Sequence, residues 1–165
     1  MSCRLFACLL ALMVPGSGLA VPPPGYSFVP YDEGLALAKR NAKPIFMYLG
    51  RHGCGSCLKT NAESFGDARI RELYSEHYVL VYVDTEGSRR IRLASGERVT
   101  EMQFASGLRT TGTPRFIYLS SEGTPLLRVP GFRTVAEFRA FDAYIAGGHY
   151  KDTSLSKFLK SYHSQ

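Results

Sequence analysis

Membrane anchoring by a spanning helix is the first thing this chain has too little apolar sequence for. The longest unbroken apolar stretch, Leu5 to Val14, is about half of the roughly 20 residues that a spanning helix needs. Cysteine is scarce: the 165 residues hold four, Cys3, Cys8, Cys54 and Cys57. Cys3 and Cys8 fall in an N-terminal segment expected to be removed, which leaves one close-spaced pair, too little for a disulfide-stapled scaffold, so the chain is expected to fold on its core. The four histidines, at 52, 77, 149 and 163, lack the spacing of metal ligands, so there is no partner set to complete a zinc site around one cysteine pair. Lys and Arg number 20 against 14 acidic residues, yet they are scattered rather than stacked on one periodic face. No aromatic-basic motif accompanies them, which argues for a solvated basic surface and against nucleic acid as a partner. Internal repeats and low-complexity tracts are absent as well.

What is present begins with export. Arg4 is the only early charge, the apolar stretch follows it, and Gly18 and Ala20 stand three and one before a cut after Ala20. This is the three-part layout of a secretory signal. We therefore expect residues 1–20 to be a signal peptide, the mature chain to start near Val21 and to carry no stable membrane insertion, and Cys54 and Cys57 to be its only cysteines. With 45% hydrophobic residues, the remainder has enough apolar material for one domain with a full core.

The chain is organised around Arg51-His52-Gly53-Cys54-Gly55-Ser56-Cys57. An apolar run, Pro44 to Leu49, leads into it and a helical segment leads out. Two cysteines three residues apart on a first helical turn can close a disulfide without moving the backbone. Unsatisfied N–H groups at the helix start point at Cys54 and favour its thiolate, the form that attacks disulfides. Cys54 is therefore expected to be the more exposed nucleophile, and Cys57, one turn in, the more covered resolving thiol. A structural crosslink is the rival reading, but a bridge across two residues restrains little of the unfolded chain. A c-type haem is excluded because Leu58, not histidine, follows the pair.

Around this motif, residues 21–30 read as a Pro-rich spacer. Tyr31 to Asn41 reads as a short amphipathic helix, and Pro44 to Leu49 as a buried central strand. A helix from Leu58 breaks near Phe65-Gly66 and resumes from Asp67 to Glu76. His77 to Asp84 is a second strand, parallel to the first. Thr85 to Val99 suggests a small hairpin, and Thr100-x-x-Gln103 a capping box. Gly112-Thr113-Pro114 turns into a strand to Leu119, and Ser121-Glu122-Gly123 turns back into Leu126 to Val129. Thr134-x-x-Glu137 is a second capping box, opening a helix stopped by Gly147-Gly148, and Leu155 to Tyr162 is a last helix.

This order, with Cys54-Gly55-Ser56-Cys57 after the first strand and Thr113-Pro114 before the third, resembles the thioredoxin family over about Pro44 to Ile145. The resemblance implies an α/β thioredoxin fold, a central mixed β-sheet flanked by helices, spanning a domain of residues 31–165. It implies that Pro114 is cis beside the cysteines and that Thr113 and Pro114 bind the client peptide. The Phe65-Gly66-Asp67 break, the hairpin near Gly96, Pro130-Gly131-Phe132 and Gly148-His149-Tyr150 look most like the periplasmic SoxW/SoxS-type thioredoxins of sulfur-oxidising systems. The expected activity is reduction of protein disulfides in the periplasm, with no cofactor, and with electrons from a membrane thiol transporter of DsbD or CcdA type. Oxidase, isomerase and redox-gated binding readings use the same residues.

The chain also departs from the family. It has no tryptophan, and Gly53 stands where one commonly precedes the first cysteine. Ser56 replaces a usual proline. Tyr48 replaces a buried acid, leaving the proton of Cys57 to water, Tyr48 or an acid elsewhere. Arg51, His52, Lys59 and Arg115 are expected to add positive potential around Cys54, favouring thiolate and acidic clients.

Overall fold

The computed structural model describes residues 22–162 and 164, so the expected signal segment 1–20 lies outside the described residues. The elements in order are α1 (Tyr31–Asn41), β1 (Ile45–Gly50), α2 (Gly55–Glu63), α3 (Ala68–His77), β2 (Val79–Asp84), β3 (Arg90–Arg92), β4 (Arg98–Thr100), α4 (Glu101–Gly107), β5 (Arg115–Leu119), β6 (Pro125–Pro130), α5 (Val135–Ala146) and α6 (Leu155–Tyr162). A short 3-10 turn at His149–Lys151 joins α5 to α6. No helix among the described residues is long and apolar enough to cross a membrane.

Every residue of β1 is buried, as its unbroken apolar sequence requires of a strand covered on both faces. It pairs with β2 in parallel and with β5 antiparallel, and β5 pairs with β6 antiparallel. The sheet runs β2-β1-β5-β6, the mixed sheet flanked by helices that the resemblance implies. The polar stretch after β2 closes as the β3–β4 hairpin, Ile91 opposite Val99.

Alternation along β1 divides the core. Phe46 and Tyr48 face a cluster with Phe65, Ile70, Tyr74, Phe116 and Phe138. Ile45, Met47 and Leu49 face the opposite cluster, with Leu35, Ala38, Val81, Ile91 and Ile117. Helix α1 sits close on that second side, because Gly34 lies where a Cβ would overlap Val81.

The helix break at Phe65-Gly66 has a local cause. Phe65 is turned into the core, Asp67 caps α3 by accepting from the Ile70 N–H at 3.0 Å, and a Cβ at Gly66 would collide with the Ala62 carbonyl. The chain ahead of α1 is packed from Tyr26 onward, although residues 21–30 read as a spacer. Val29 bridges to Val81 in parallel, with Val29 N donating to Leu80 O at 2.9 Å. The Tyr26 hydroxyl donates to Phe65 O at 3.0 Å. Aromatic and β-branched residues after the prolines suit such a strand edge.

Candidate active site

The site forms where β1 runs out into α2. Gly53 has φ +67, a left-handed conformation that costs glycine little, and this turn delivers Cys54 to the N-cap of α2. There the Cys54 sulfur accepts from the Cys57 N–H at 3.1 Å. Its carbonyl receives the N–H groups of Cys57 and Leu58 at 3.0 and 3.1 Å. Cys54 and Cys57 form a disulfide, with Cα atoms 5.2 Å apart.

The Thr113-Pro114 peptide is cis, and the Thr113 hydroxyl donates to Cys54 Sγ at 3.2 Å. The structure thus brings together all four expected site residues, Cys54, Cys57, Thr113 and Pro114. Two donors, one backbone and one side chain, converge on Cys54 Sγ. Sulfur is a weak acceptor in the disulfide and a strong one as thiolate, so both contacts favour the charged form after reduction.

The expected contrast in exposure is absent. Cys54 is 6% exposed and Cys57 5%, because the two sulfurs are bonded to each other and Thr113 covers the first. What distinguishes the cysteines is hydrogen bonding: the donors point at Cys54. The side-chain role of Thr113 was not foreseen from sequence, where only its place before the proline stood out. A hydroxyl next to a cis proline was the available signal.

Tyr48 lies beneath the pair, its hydroxyl 3.2 Å from Asn61 Oδ1 and 3.5 Å from the Cys57 carbonyl oxygen. Burial, with Tyr82 alongside, pushes its phenol well above the ordinary tyrosine range. A phenol that holds its proton this firmly donates rather than accepts near neutral pH. It therefore does not take the proton of Cys57, which leaves water or an acid elsewhere.

Of the four basic residues expected to add positive potential around Cys54, three have partners of their own. Arg51 pairs with Glu86 at 3.3 Å. Lys59 lies 4.0 Å from Glu63 and 4.5 Å from the Phe132 ring centre. Arg115 reaches the Arg109 carbonyl and Thr111, and His52 is exposed in the turn. Solvent-exposed pairs of this kind add little local energy, and the hydrogen bonds that reach the Cys54 sulfur come from the helix start and Thr113.

The thioredoxin-like domain family matches residues 31–146 of this sequence. The chain belongs to that family. With its CxxC disulfide in place it is a thioredoxin-like oxidoreductase, and the family's fold implies thiol-disulfide exchange with protein partners. Among solved structures, a thioredoxin-fold protein from Helicobacter pylori is 23% identical over 74% of this chain and 83% of its own, with a TM-score of 0.65. A thioredoxin from Thermus thermophilus is 24% identical, over 73% of this chain and 86% of its own, with a TM-score of 0.59. The DsbH oxidoreductase is 17% identical, over 85% of this chain and 94% of its own, with a TM-score of 0.55. At these identities the likeness is one of fold. None of the curated proteins matches the chain.

Proposed function

We propose that this thioredoxin-like protein is exported to the periplasm and reduces disulfides in client proteins. The observation that carries the reading is the Cys54–Cys57 pair at the start of α2 with the Thr113 hydroxyl on Cys54 Sγ. The Cys54 thiolate attacks one client sulfur, the client disulfide breaks, and its other sulfur leaves as thiolate. Cys57 then loses its proton and attacks Cys54 Sγ, releasing the second client sulfur as thiolate. The client gains two electrons and the protein returns to its disulfide. Continued turnover needs an external dithiol, and a membrane thiol transporter of DsbD or CcdA type is the donor this reading assigns. The helix break at Phe65 and the β3–β4 hairpin support placement among the SoxW/SoxS-type thioredoxins and a role in sulfur oxidation.

Insulin reduction with dithiothreitol as electron source tests the activity, and a glutathione redox titration tests its direction. A reductant has a potential near the roughly −270 mV of thioredoxin, whereas a value near about −120 mV makes the protein an oxidant. For export, N-terminal sequencing of the mature protein is expected to begin near Val21. A mature species that retains Arg4 overturns that part.

A further inference from the structure

Tyr48 is 1% exposed and packs against the rings of Phe65 and Phe116, with centres 5.8 and 5.0 Å away. A phenylalanine would fill the same space, so the hydroxyl adds a buried polar atom that costs stability unless it is bonded. Its contacts run into α2, to Asn61 Oδ1 at 3.2 Å and to the Cys57 carbonyl at 3.5 Å. A hydroxyl has one proton to give, and the shorter contact makes Asn61 its main acceptor. Cys57 and Asn61 stand four apart in α2, one above the other on one face of the helix. In the helical ladder the Cys57 carbonyl also accepts the Asn61 N–H. One phenol on β1 therefore grips the turn of α2 that begins at Cys57.

That grip matters differently in the two redox states. In the oxidised protein the Cys54–Cys57 bond itself holds the Cys57 sulfur in place. Once a client sulfur is on Cys54 that bond is open, and Cys57 must still reach Cys54 Sγ for the client to leave. Holding a nucleophile against its target is what makes an intramolecular step fast. Other side-chain ties of this segment lie further along it: the Ser64 hydroxyl donates to the Arg133 carbonyl and the Tyr26 hydroxyl to the Phe65 carbonyl, and exposed Lys59 lies over the Phe132 ring. The Cys54 sulfur has donors of its own, the Cys57 N–H and the Thr113 hydroxyl, so the first attack does not draw on Tyr48.

Resting on the disulfide-exchange reading above, we propose that Tyr48 is a positioning residue for the second step of exchange: through Asn61 its hydroxyl clamps α2 to β1 and keeps Cys57 in reach of Cys54 while their bond is open. The test mixes reduced protein with glutathione disulfide, quenches with acid and counts species by mass. Cys54 thiolate takes up one glutathione and releases the other as thiolate; Cys57 then gives its proton to solvent, attacks Cys54 Sγ and releases the second. The first step depends on the concentration of glutathione disulfide and the second does not, so the two rates separate. Tyr48→Phe leaves the first rate at the parent value and slows the second roughly two- to tenfold, what the loss of one neutral hydrogen bond supplies, so the glutathione adduct accumulates. The pH midpoint of the second step stays where it is in the parent, because the clamp sets distance and not charge. Asn61→Leu, which spares the core ring, slows the same step, and the double variant is no slower than Tyr48→Phe alone. A second step at the parent rate in either single variant, both steps slowed alike, or a shifted midpoint with an unchanged plateau overturns the clamp and leaves the exchange reading standing. A parent protein that neither takes up glutathione nor closes its disulfide overturns the exchange reading itself.

Discussion

The two faces of the central sheet are built from different materials. On one, Phe46, Tyr48, Phe65, Tyr74, Phe116, Tyr118 and Phe138 form a continuous aromatic mass. On the other, Ile45, Met47, Leu49, Val81, Val83, Ile117 and Leu119 are aliphatic, and Tyr31 is the one buried aromatic of that cluster. Cys54 and Cys57 belong to the aromatic side. Rings have fixed shapes, prefer edge and offset contacts, and carry hydroxyls that must be paired when buried. Aliphatic packing is far less directional. The side that must hold two sulfurs in register is the side made of stiff parts, while the other anchors α1, α4 and the β3–β4 hairpin through shape-tolerant contacts.

The largest expected effect falls on chemistry that only the aromatic side possesses. Cys54→Ser and Cys57→Ser each abolish insulin reduction, and Cys57→Ser alone accumulates covalent client complexes, visible on non-reducing gels. Trapping by Cys54→Ser instead reverses the two roles. Next in size is the loss of a ring. Phe138 has the rings of Phe65 and Phe116 at 4.9 and 5.0 Å, and Phe138→Ala is expected to cost about 3–5 kcal/mol in urea unfolding. On the aliphatic side, Ile117→Val is expected to cost about 0.5–1.5 kcal/mol and to leave insulin reduction unchanged. A drop in activity from Ile117→Val breaks the division between the faces.

Hydroxyl pairing sharpens the same contrast. The Tyr74 hydroxyl donates to the Phe138 carbonyl at 2.9 Å and stands 2.6 Å from the Tyr118 hydroxyl, a chain in which Tyr118 donates to Tyr74. Tyr74→Phe strands the buried Tyr118 hydroxyl, while the Phe138 carbonyl keeps its bond inside α5, and is expected to cost about 1–3 kcal/mol. Tyr118→Phe strands no partner and costs less, a difference that thermal unfolding of the two variants reads directly. Smaller still in stability, though visible in chemistry, is Thr113→Val. It keeps the shape and removes the donor to Cys54 Sγ, so the thiol pKa of Cys54 is expected to rise by about one unit, measured by the pH dependence of alkylation.

Much of this division was legible along the strands. Ile45-Phe46-Met47-Tyr48-Leu49 alternates aliphatic with aromatic, and in a strand that alternation is a difference of face. The two capping boxes, the helix break and the hairpin were local patterns, and each stands where its residues put it. The missed features are contacts between segments distant in sequence. Val29 reaches Val81, Thr113 reaches Cys54 across 59 positions, and Arg51 turns to Glu86 instead of the sulfur. No periodicity encodes these, because they depend on which loops the sheet order brings side by side. The near-equal burial of Cys54 and Cys57 escaped for the same reason, since the cover over Cys54 comes from Thr113, 59 positions away.

The smallest expected effect separates the two faces by their helix caps. Helix α5, which gives Phe138 and Phe141 to the aromatic side, opens with Thr134 and Glu137, and α4, which gives Ala105 to the aliphatic side, opens with Thr100 and Gln103. The geometry is the same: Glu137 accepts from the Thr134 N–H at 2.8 Å, and Gln103 accepts from the Thr100 N–H at 2.8 Å. Only the glutamate titrates. Burial pushes its carboxyl up, but the Thr134 N–H and hydroxyl, together with Arg133, outweigh that and leave it below the ordinary glutamate value. A carboxylate depressed in the folded state adds stability above its unfolded pKa and loses it as the pH falls through the folded one. Because Glu137 is more than a third exposed, solvent screening limits the effect to a few tenths of a kcal/mol. Glu137→Gln is therefore expected to be slightly less stable than the parent near neutral pH and equal to it in acid, with chemical unfolding across that range as the measurement. Gln103→Glu, placing a titrating group on the aliphatic side's helix, is expected to create the same acid-sensitive increment there. A Gln103→Glu variant with no pH-dependent gain shows that the carboxylate of Glu137 draws its advantage from Arg133, 3.1 Å away, and not from the cap itself.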